Sequence, residues 1–246
     1  MKKEHRQALY ELLAGEYNCA PDAFTREENV LTEAASIRGR HYGEEQYFFH
    51  MVSCGGNAVA TAALCLHPFL RCFLEKEPGF RLFEQPNLRL LAAELEKQGY
   101  TLTATHHMFL PGEDRPTRLE TPVRWYLGEE IHRFYGDNRF PNAICPRFQP
   151  ERPDTMVVCA MDGETIQAMA GCSEDAPRWL QIGIDVLPEY RSRGLGTYLV
   201  QLLKARIQEQ GDTPFYGTDV ANYHSWNIAL NAGFYPAWIE IGAEKK

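Results

Sequence analysis

The stretch best equipped for chemistry is Asp185-Val-Leu-Pro-Glu-Tyr-Arg-Ser-Arg-Gly-Leu-Gly-Thr-Tyr-Leu199, where an apolar run stops at a proline and a glycine-containing loop leads into a helical pattern. The start of a helix presents backbone N–H groups without intrahelical partners at the positive end of its dipole, and glycines let a bulky anion reach them. The segment reads as a phosphate cradle. It is not a Walker loop, because no Lys-Ser/Thr follows the glycines. Nor is it the full dinucleotide fingerprint, because Leu199 replaces the third glycine of Gly-x-Gly-x-x-Gly. A solitary Gly-x-Gly more often shapes a turn than holds an anion, so the flanking residues decide.

A second segment, Asn222-Tyr-His-Ser225-Trp-Asn-Ile-Ala-Leu-Asn-Ala-Gly233-Phe234, sets an Asn before a short helix ending in Gly-Phe. Ahead of it stand Val186-Leu-Pro188 and Arg191-Ser-Arg-Gly194-Leu-Gly196. In order and spacing, these landmarks resemble the GNAT acetyltransferase superfamily. Its pyrophosphate loop follows the pattern Gln/Arg-x-x-Gly-x-Gly/Ala after a strand ending Val-x-Pro. The resemblance covers residues 120–246, and the two motifs in register are more specific than either alone.

The resemblance implies an acetyl-coenzyme A-dependent N-acetyltransferase, with acetyl-CoA as co-substrate and no metal. The amides of Arg193, Gly194, Leu195, Gly196 and Thr197, in a loop that begins at Arg191 and Ser192, would hold the pyrophosphate. The strand edge from Ile184 to Val186 would hydrogen-bond the pantetheine arm, and Asn222 would reach its far end. In many family members a Tyr four residues before the Gly-Phe glycine returns a proton to the departing thiolate, but that position here is Ala229. Ser225 stands where another branch carries Ser and is the first candidate donor; helix N-capping is its competing role. Tyr223, His224 and Tyr235 are neighbours that could substitute.

An amine acceptor is protonated at neutral pH, with a reference pKa near ~10.4 if lysine-like, so a base must act first. The early part of the strand before the loop reads Trp179-Leu-Gln-Ile and offers no acid. Asp185 and Asp219 are the candidates that remain, acting directly or through water, though each reads more readily as a structural or solvated strand-end carboxylate. Strand alternation sends His106 and His107 to opposite faces, which disfavours joint metal binding. Trp125, Tyr126, Phe134 and Tyr135 read as core.

The elements that must position these groups follow from periodicity and turn chemistry. Helices are expected at Lys3–Ala14, Phe69–Glu75, Asn87–Lys97 (capped by Asn87), Glu129–Tyr135, Gly194–Gln210 and Ser225–Asn231. Strands are expected at Gln46–Ser53 and Ala58–Leu64 around a Gly-Gly-Asn turn, and at Tyr100–Leu110, Val123–Leu127, Thr155–Met161, Thr165–Cys172, Trp179–Leu187, Phe215–Val220 and Tyr235–Ile241. Meander, helix, strand, helix, strand makes an α/β fold of the α+β type with a mixed sheet. The turn-rich Leu110–Pro116 divides it into an N-terminal α+β domain, residues 1–115, and an acetyltransferase domain, residues 116–246.

Composition sets the outer bounds. A chain of 246 residues, 44% apolar and 24% charged, can bury one large core or two modest ones. No apolar run approaches the roughly 20 residues of a membrane span, and the start lacks the apolar centre of a secretory signal, so a cytoplasmic address is expected. Seven scattered cysteines without a Cys-x-x-Cys pair suggest reduced thiols, mostly buried. A net charge of −8 and the lack of a basic stripe argue against nucleic acid.

The function expected is transfer of acetyl from acetyl-CoA to a primary amine, small-molecule or peptide, by direct transfer in a ternary complex. The N-terminal domain would shape the acceptor side, and assembly, including a homodimer, is left open. The rival is a non-catalytic GNAT-fold sensor or interaction module that binds acyl-CoA without turning it over.

Overall fold

The computed structural model describes residues 3–40, 42, 45–115 and 119–246. The chain divides into two compact units, Met1–Met108 with Ala237–Lys246, and Phe109–Pro236.

In the first unit, helix α1 (Lys3–Glu16) buries Leu9 and Leu13, which lie one turn apart on one face. Strand β1 (Val30–Glu33), which periodicity does not reveal, pairs in parallel with β3 (Ala58–Ala62). Strand β2 (Phe49–Ser53) forms the expected hairpin with β3, and Gly55 at its tip takes a φ of 99°. Helices α2 (His67–Leu74) and α3 (Gln85–Glu96) pack Leu70, Phe73, Leu91 and Leu95 against Phe49, Met51, Ala58 and Ala60. Asn87 is not the cap of α3. Pro86 occupies the first turn, where its missing N–H costs nothing, Glu84 is the cap residue, and Asn87 Nδ2 donates to Arg81 O at 2.9 Å.

The strand expected over Tyr100–Leu110 is two strands, β4 (Tyr100–Leu102) and β5 (His106–Pro111). Between them, Thr103 N–H donates to Gly242 O at 3.0 Å and Gly242 N–H donates to Thr103 Oγ1 at 2.9 Å. Strand β11 (Phe234–Lys245) pairs antiparallel with β2 and β4. Arg40, 1% exposed, locks the same unit together: its guanidinium donates to both carboxylate oxygens of Glu16, at 2.8 and 2.7 Å, and of Glu240, at 3.1 and 2.8 Å.

In the second unit, β6 (Val123–Leu127), β7 (Asp154–Asp162), β8 (Thr165–Ala176) and β9 (Trp179–Val186) form an antiparallel meander. A 3-10 turn, Gly128–Phe134, replaces the helix expected over Glu129–Tyr135. Helix α4 (Leu195–Glu209) carries the chain across to β10 (Thr213–Asp219), parallel to β9, and α5 (Tyr223–Asn231) follows. The sheet is mixed, as the sequence implies.

Strand alternation splits the core of this unit. Met156, Val158 and Ala160 face Leu199, Leu203 and Ile207 of α4, whereas Val157, Cys159 and Met161 face Phe134, Phe140 and Ile144. Tyr126 and Phe134 meet edge to face at 4.8 Å, as core residues. All seven cysteines are free; Cys145, Cys159 and Cys172 are buried, Cys19 and Cys54 intermediate, and Cys65 and Cys72 exposed.

The first unit gives way to the second between Met108 and Phe109, and Ala237–Lys246 belongs with the N-terminal residues.

Candidate functional site

Strand β9 ends at Val186, a 3-10 turn spans Pro188–Tyr190, and α4 starts at Leu195 with Gly194 as its N-cap. Two residues of the intervening loop are left-handed, Ser192 at φ 61° and Gly194 at φ 81°. Glycine adopts this conformation freely; for Ser192 it is uncommon and carries strain. The first helical bond of the loop runs from Tyr198 N–H to Gly194 O, 3.0 Å. The amides of Gly194, Leu195, Gly196 and Thr197 thus have no intrahelical acceptor and stand together at the positive end of the dipole.

Two arginines brace this loop without filling it. Arg191 Nε donates to Val186 O at 3.2 Å, and Arg193 Nη2 donates to Glu189 O at 3.0 Å while its guanidinium lies 5.3 Å from the Tyr190 ring centroid.

The approach to the loop is an open strand edge. Parallel pairing of β9 with β10 runs from Trp179/Thr213 to Ile182/Tyr216 and no further among the described residues, although β9 continues to Val186 and β10 to Asp219. On its opposite edge, β9 stays paired to β8 from Trp179/Ala176 to Val186/Ala168. Ile184 and Val186 therefore turn their backbone groups to an edge that β10 does not cover, whereas those of Gly183 and Asp185 turn to β8. Backbone groups of this kind seek a partner.

Asp185 is placed differently from its neighbours. Its oxygens accept from Asn142 N–H at 2.7 Å, Ala143 N–H at 2.9 Å and Asn142 Nδ2 at 2.6 Å. Gly183, on the same face of β9, is paired with Gly171 of β8, and a Cβ on either would collide with the backbone oxygen of Asn142 or Ala143. Two facing glycines and one carboxylate thus seat the 142–143 segment, and these bonds give Asp185 an anchoring role.

Asn222 is the N-cap of α5: its side chain accepts from Ser225 N–H at 3.2 Å. The capping role weighed for Ser225 thus falls to Asn222. Ser225 is freed for another bond, and its Oγ lies 2.7 Å from Tyr216 Oη. Tyr216 is 2% exposed, directly opposite Ile182 where the parallel pairing ends. Burial, with the Asp185 charge adding to it and the Ser225 bond opposing it, pushes its phenol up to about 12. Tyr216 went unnoticed in the sequence, where it reads as one more aromatic in an apolar strand; only the register of β10 and the cap of α5 reveal it.

The remaining candidates stand apart. Tyr223 is 72% exposed at the start of α5, His224 is also exposed, and Asp219 is exposed at the end of β10. Tyr235 has its hydroxyl buried with no hydrogen-bond partner among the described residues, and burial pushes it up to about 12. Ala229 is fully buried in the core beneath α4. Among the described residues, no group of three or more His, Cys, Asp or Glu is placed to hold a metal ion, and no helix is long and apolar enough to cross a membrane.

Comparison with known proteins gives this geometry a context. Residues 122–234 match the family model described as Acetyltransferase (GNAT) family. None of the curated proteins matches the chain. Among solved structures, a GCN5-related N-acetyltransferase from Sphaerobacter thermophilus is 12% identical, with 98% of this chain and 93% of that one covered at a TM-score of 0.51. An acetyltransferase of the GNAT family from Colwellia psychrerythraea is 16% identical over 59% of this chain and 57% of its own length, TM-score 0.43. A Bacillus subtilis acetyltransferase in complex with CoA is 15% identical, covering 51% of this chain and 99% of its own, TM-score 0.38. The Sphaerobacter likeness extends the fold relationship to nearly the whole chain.

Proposed function

We propose that the protein transfers acetyl from acetyl-CoA to a primary amine, directly, within a ternary complex, a reading supported by the match of residues 122–234 to the GNAT acetyltransferase family model. The observation that carries this proposal is the continuity of two backbone surfaces on one run of chain, the strand edge at Ile184 and Val186 that β10 leaves uncovered and the amides of Gly194 to Thr197. One surface suits an amide-bearing arm and the other a diphosphate, the two chemistries that coenzyme A combines.

In this assignment the edge of Ile184 and Val186 binds the arm. The amides from Arg193 to Thr197, with the Thr197 hydroxyl beside them, hold the pyrophosphate, and Arg191 and Ser192 shape the loop. Asn222 fixes the start of α5, and Ser225 donates toward the sulfur. The bound co-substrate supplies the activated acetyl group; the protein supplies position and oriented dipoles, which contribute the larger part of such rate enhancements. Tyr223, exposed at the mouth of α5, is the proposed contact for the acceptor or the arm. Asp185 acts on the site through the segment it anchors.

A rival reading, an acyl-CoA sensor, draws on Ala229, since the hydroxyl that many family members carry there is missing and Ala229 is fully buried. Release of free thiol from acetyl-CoA, followed with spermidine, L-lysine, a lysine-containing peptide and kanamycin in parallel, separates the two. Amine-dependent thiol release supports transfer, whereas binding of acetyl-CoA without release from any acceptor supports the sensor.

A further inference from the structure

We infer that Tyr216 is a positioning residue that turns the Ser225 hydroxyl into a directed hydrogen-bond donor for the sulfur of coenzyme A. The inference rests on the acetyltransferase assignment and extends it to a residue on a different strand from the loop.

The argument is one of place and direction. If the diphosphate sits on the amides of Gly194 to Thr197, an arm lying along the edge of β9 runs from Val186 back toward Ile182, roughly 13 Å at about 3.3 Å per residue. That path ends where β10 closes onto β9, at the Ile182/Tyr216 pair. The two hydroxyls at this closure are those of Tyr216 and Ser225, 2.7 Å apart.

Direction follows from burial. The Tyr216 ring packs among apolar rings: Phe109 stands edge to face at 6.3 Å between centroids, and Phe234 is tilted at 6.2 Å. Its partner is Ser225, which is less buried. A phenol is the more acidic hydroxyl and the stronger donor of the two. Held up at about 12, first by burial, it keeps its proton throughout the neutral range. With Tyr216 donating to Ser225 Oγ, the Ser225 proton is the one that points elsewhere, and the Asn222 cap fixes the first turn of α5 from which it points.

The step balances without ionising either hydroxyl. The amine nitrogen, having lost its extra proton to water, forms the C–N bond and releases a second proton to water as the adduct collapses; the C–S bond breaks, and its electron pair stays on sulfur. Ser225 donates a hydrogen bond to that thiolate and keeps its proton, as does Tyr216.

The test needs no acceptor amine. Coenzyme A is bound to the full-length protein, and the ultraviolet absorbance of its thiolate is followed against pH in wild type, Tyr216→Phe, Ser225→Ala and the double variant. A directed donor lowers the pKa of the bound thiol below that of free coenzyme A by about one unit, a tenfold gain in thiolate. Each single variant is expected to abolish that lowering, and the double variant to add nothing. An unchanged thiol pKa in Ser225→Ala overturns the proposal whatever the fate of Tyr216→Phe. A shift in Ser225→Ala with none in a folded Tyr216→Phe overturns the role of Tyr216. Failure of wild type to bind coenzyme A would instead remove the acetyltransferase assignment and this inference with it.

Discussion

Gly196 and Ile228 are in contact: a Cβ on Gly196 would stand 3.1 Å from Ile228 Cδ1 and 3.4 Å from Val186 Cγ2. The second glycine of the loop is therefore demanded by packing of α4 between β9 and α5, while the first, Gly194, would bring a Cβ only to an ordinary 3.8 Å contact with Leu119 Cδ2 and is demanded by its φ of 81°. The two glycines should fail differently. Gly196→Ala overpacks the first turn and should cost about 1–3 kcal/mol; Gly194→Ala pays left-handed strain of about 1–2 kcal/mol. Urea unfolding measures both, and Gly196→Val should be much worse than Gly196→Ala, whereas Gly194→Val and Gly194→Ala should differ little in packing.

Asp185 is expected to be a stability residue first. Asp185→Ala removes the acceptor for two backbone amides and the Asn142 side chain, with an expected loss of roughly 2 kcal/mol. Unaltered stability together with loss of thiol release would return Asp185 to the role of base.

The Arg40 network gives the first unit a defined acid sensitivity. Burial alone would raise the Glu240 carboxyl, but the adjacent Arg40 guanidinium outweighs it and holds the group at about 2, below its ordinary value of 4.5. A depressed folded-state pKa contributes stability that is fully present above 4.5 and lost as pH falls toward 2. Glu240→Gln should flatten the stability–pH curve in that window. At neutral pH it should cost roughly 3–5 kcal/mol, because it unbalances a buried ion pair. An unchanged slope between those limits would contradict the assignment.

Removing the N-terminal residues should not yield a clean catalytic domain. Residues 237–246 pair with β2 and β4 of their own unit, so a fragment beginning near residue 109 exposes an unpaired apolar strand that includes Trp238 and Ile241. Such a fragment is expected to aggregate, and trimming it at Pro236 to improve its solubility; size-exclusion chromatography of both fragments decides.

Much of the second unit was legible because its strands alternate cleanly and its glycines and prolines fall at turns. The loop from Val186 to Leu195 follows from local chemistry, so it could be read directly. What escaped depends on partners distant in sequence. Thr103 breaks a strand that looks continuous, because Gly242 supplies its hydrogen bonds. Lys204 of α4 is 1% exposed, its Nζ 2.9 Å from Asp114 Oδ1, a partner ninety residues earlier in the chain. The Tyr216–Ser225 pair requires knowing that Asn222, three residues earlier, already caps the helix.

The central claim is that the amides at the start of α4 hold a diphosphate, and calorimetric titration of acetyl-CoA into wild type and Thr197→Glu tests it most directly. Glutamate at the third helical position suits the helix dipole, so the variant should fold at least as well as wild type while placing negative charge in the cradle. Saturable binding by wild type, weakened roughly tenfold or more in Thr197→Glu, is the predicted result. Equal binding by both proteins, or none by wild type, would contradict it.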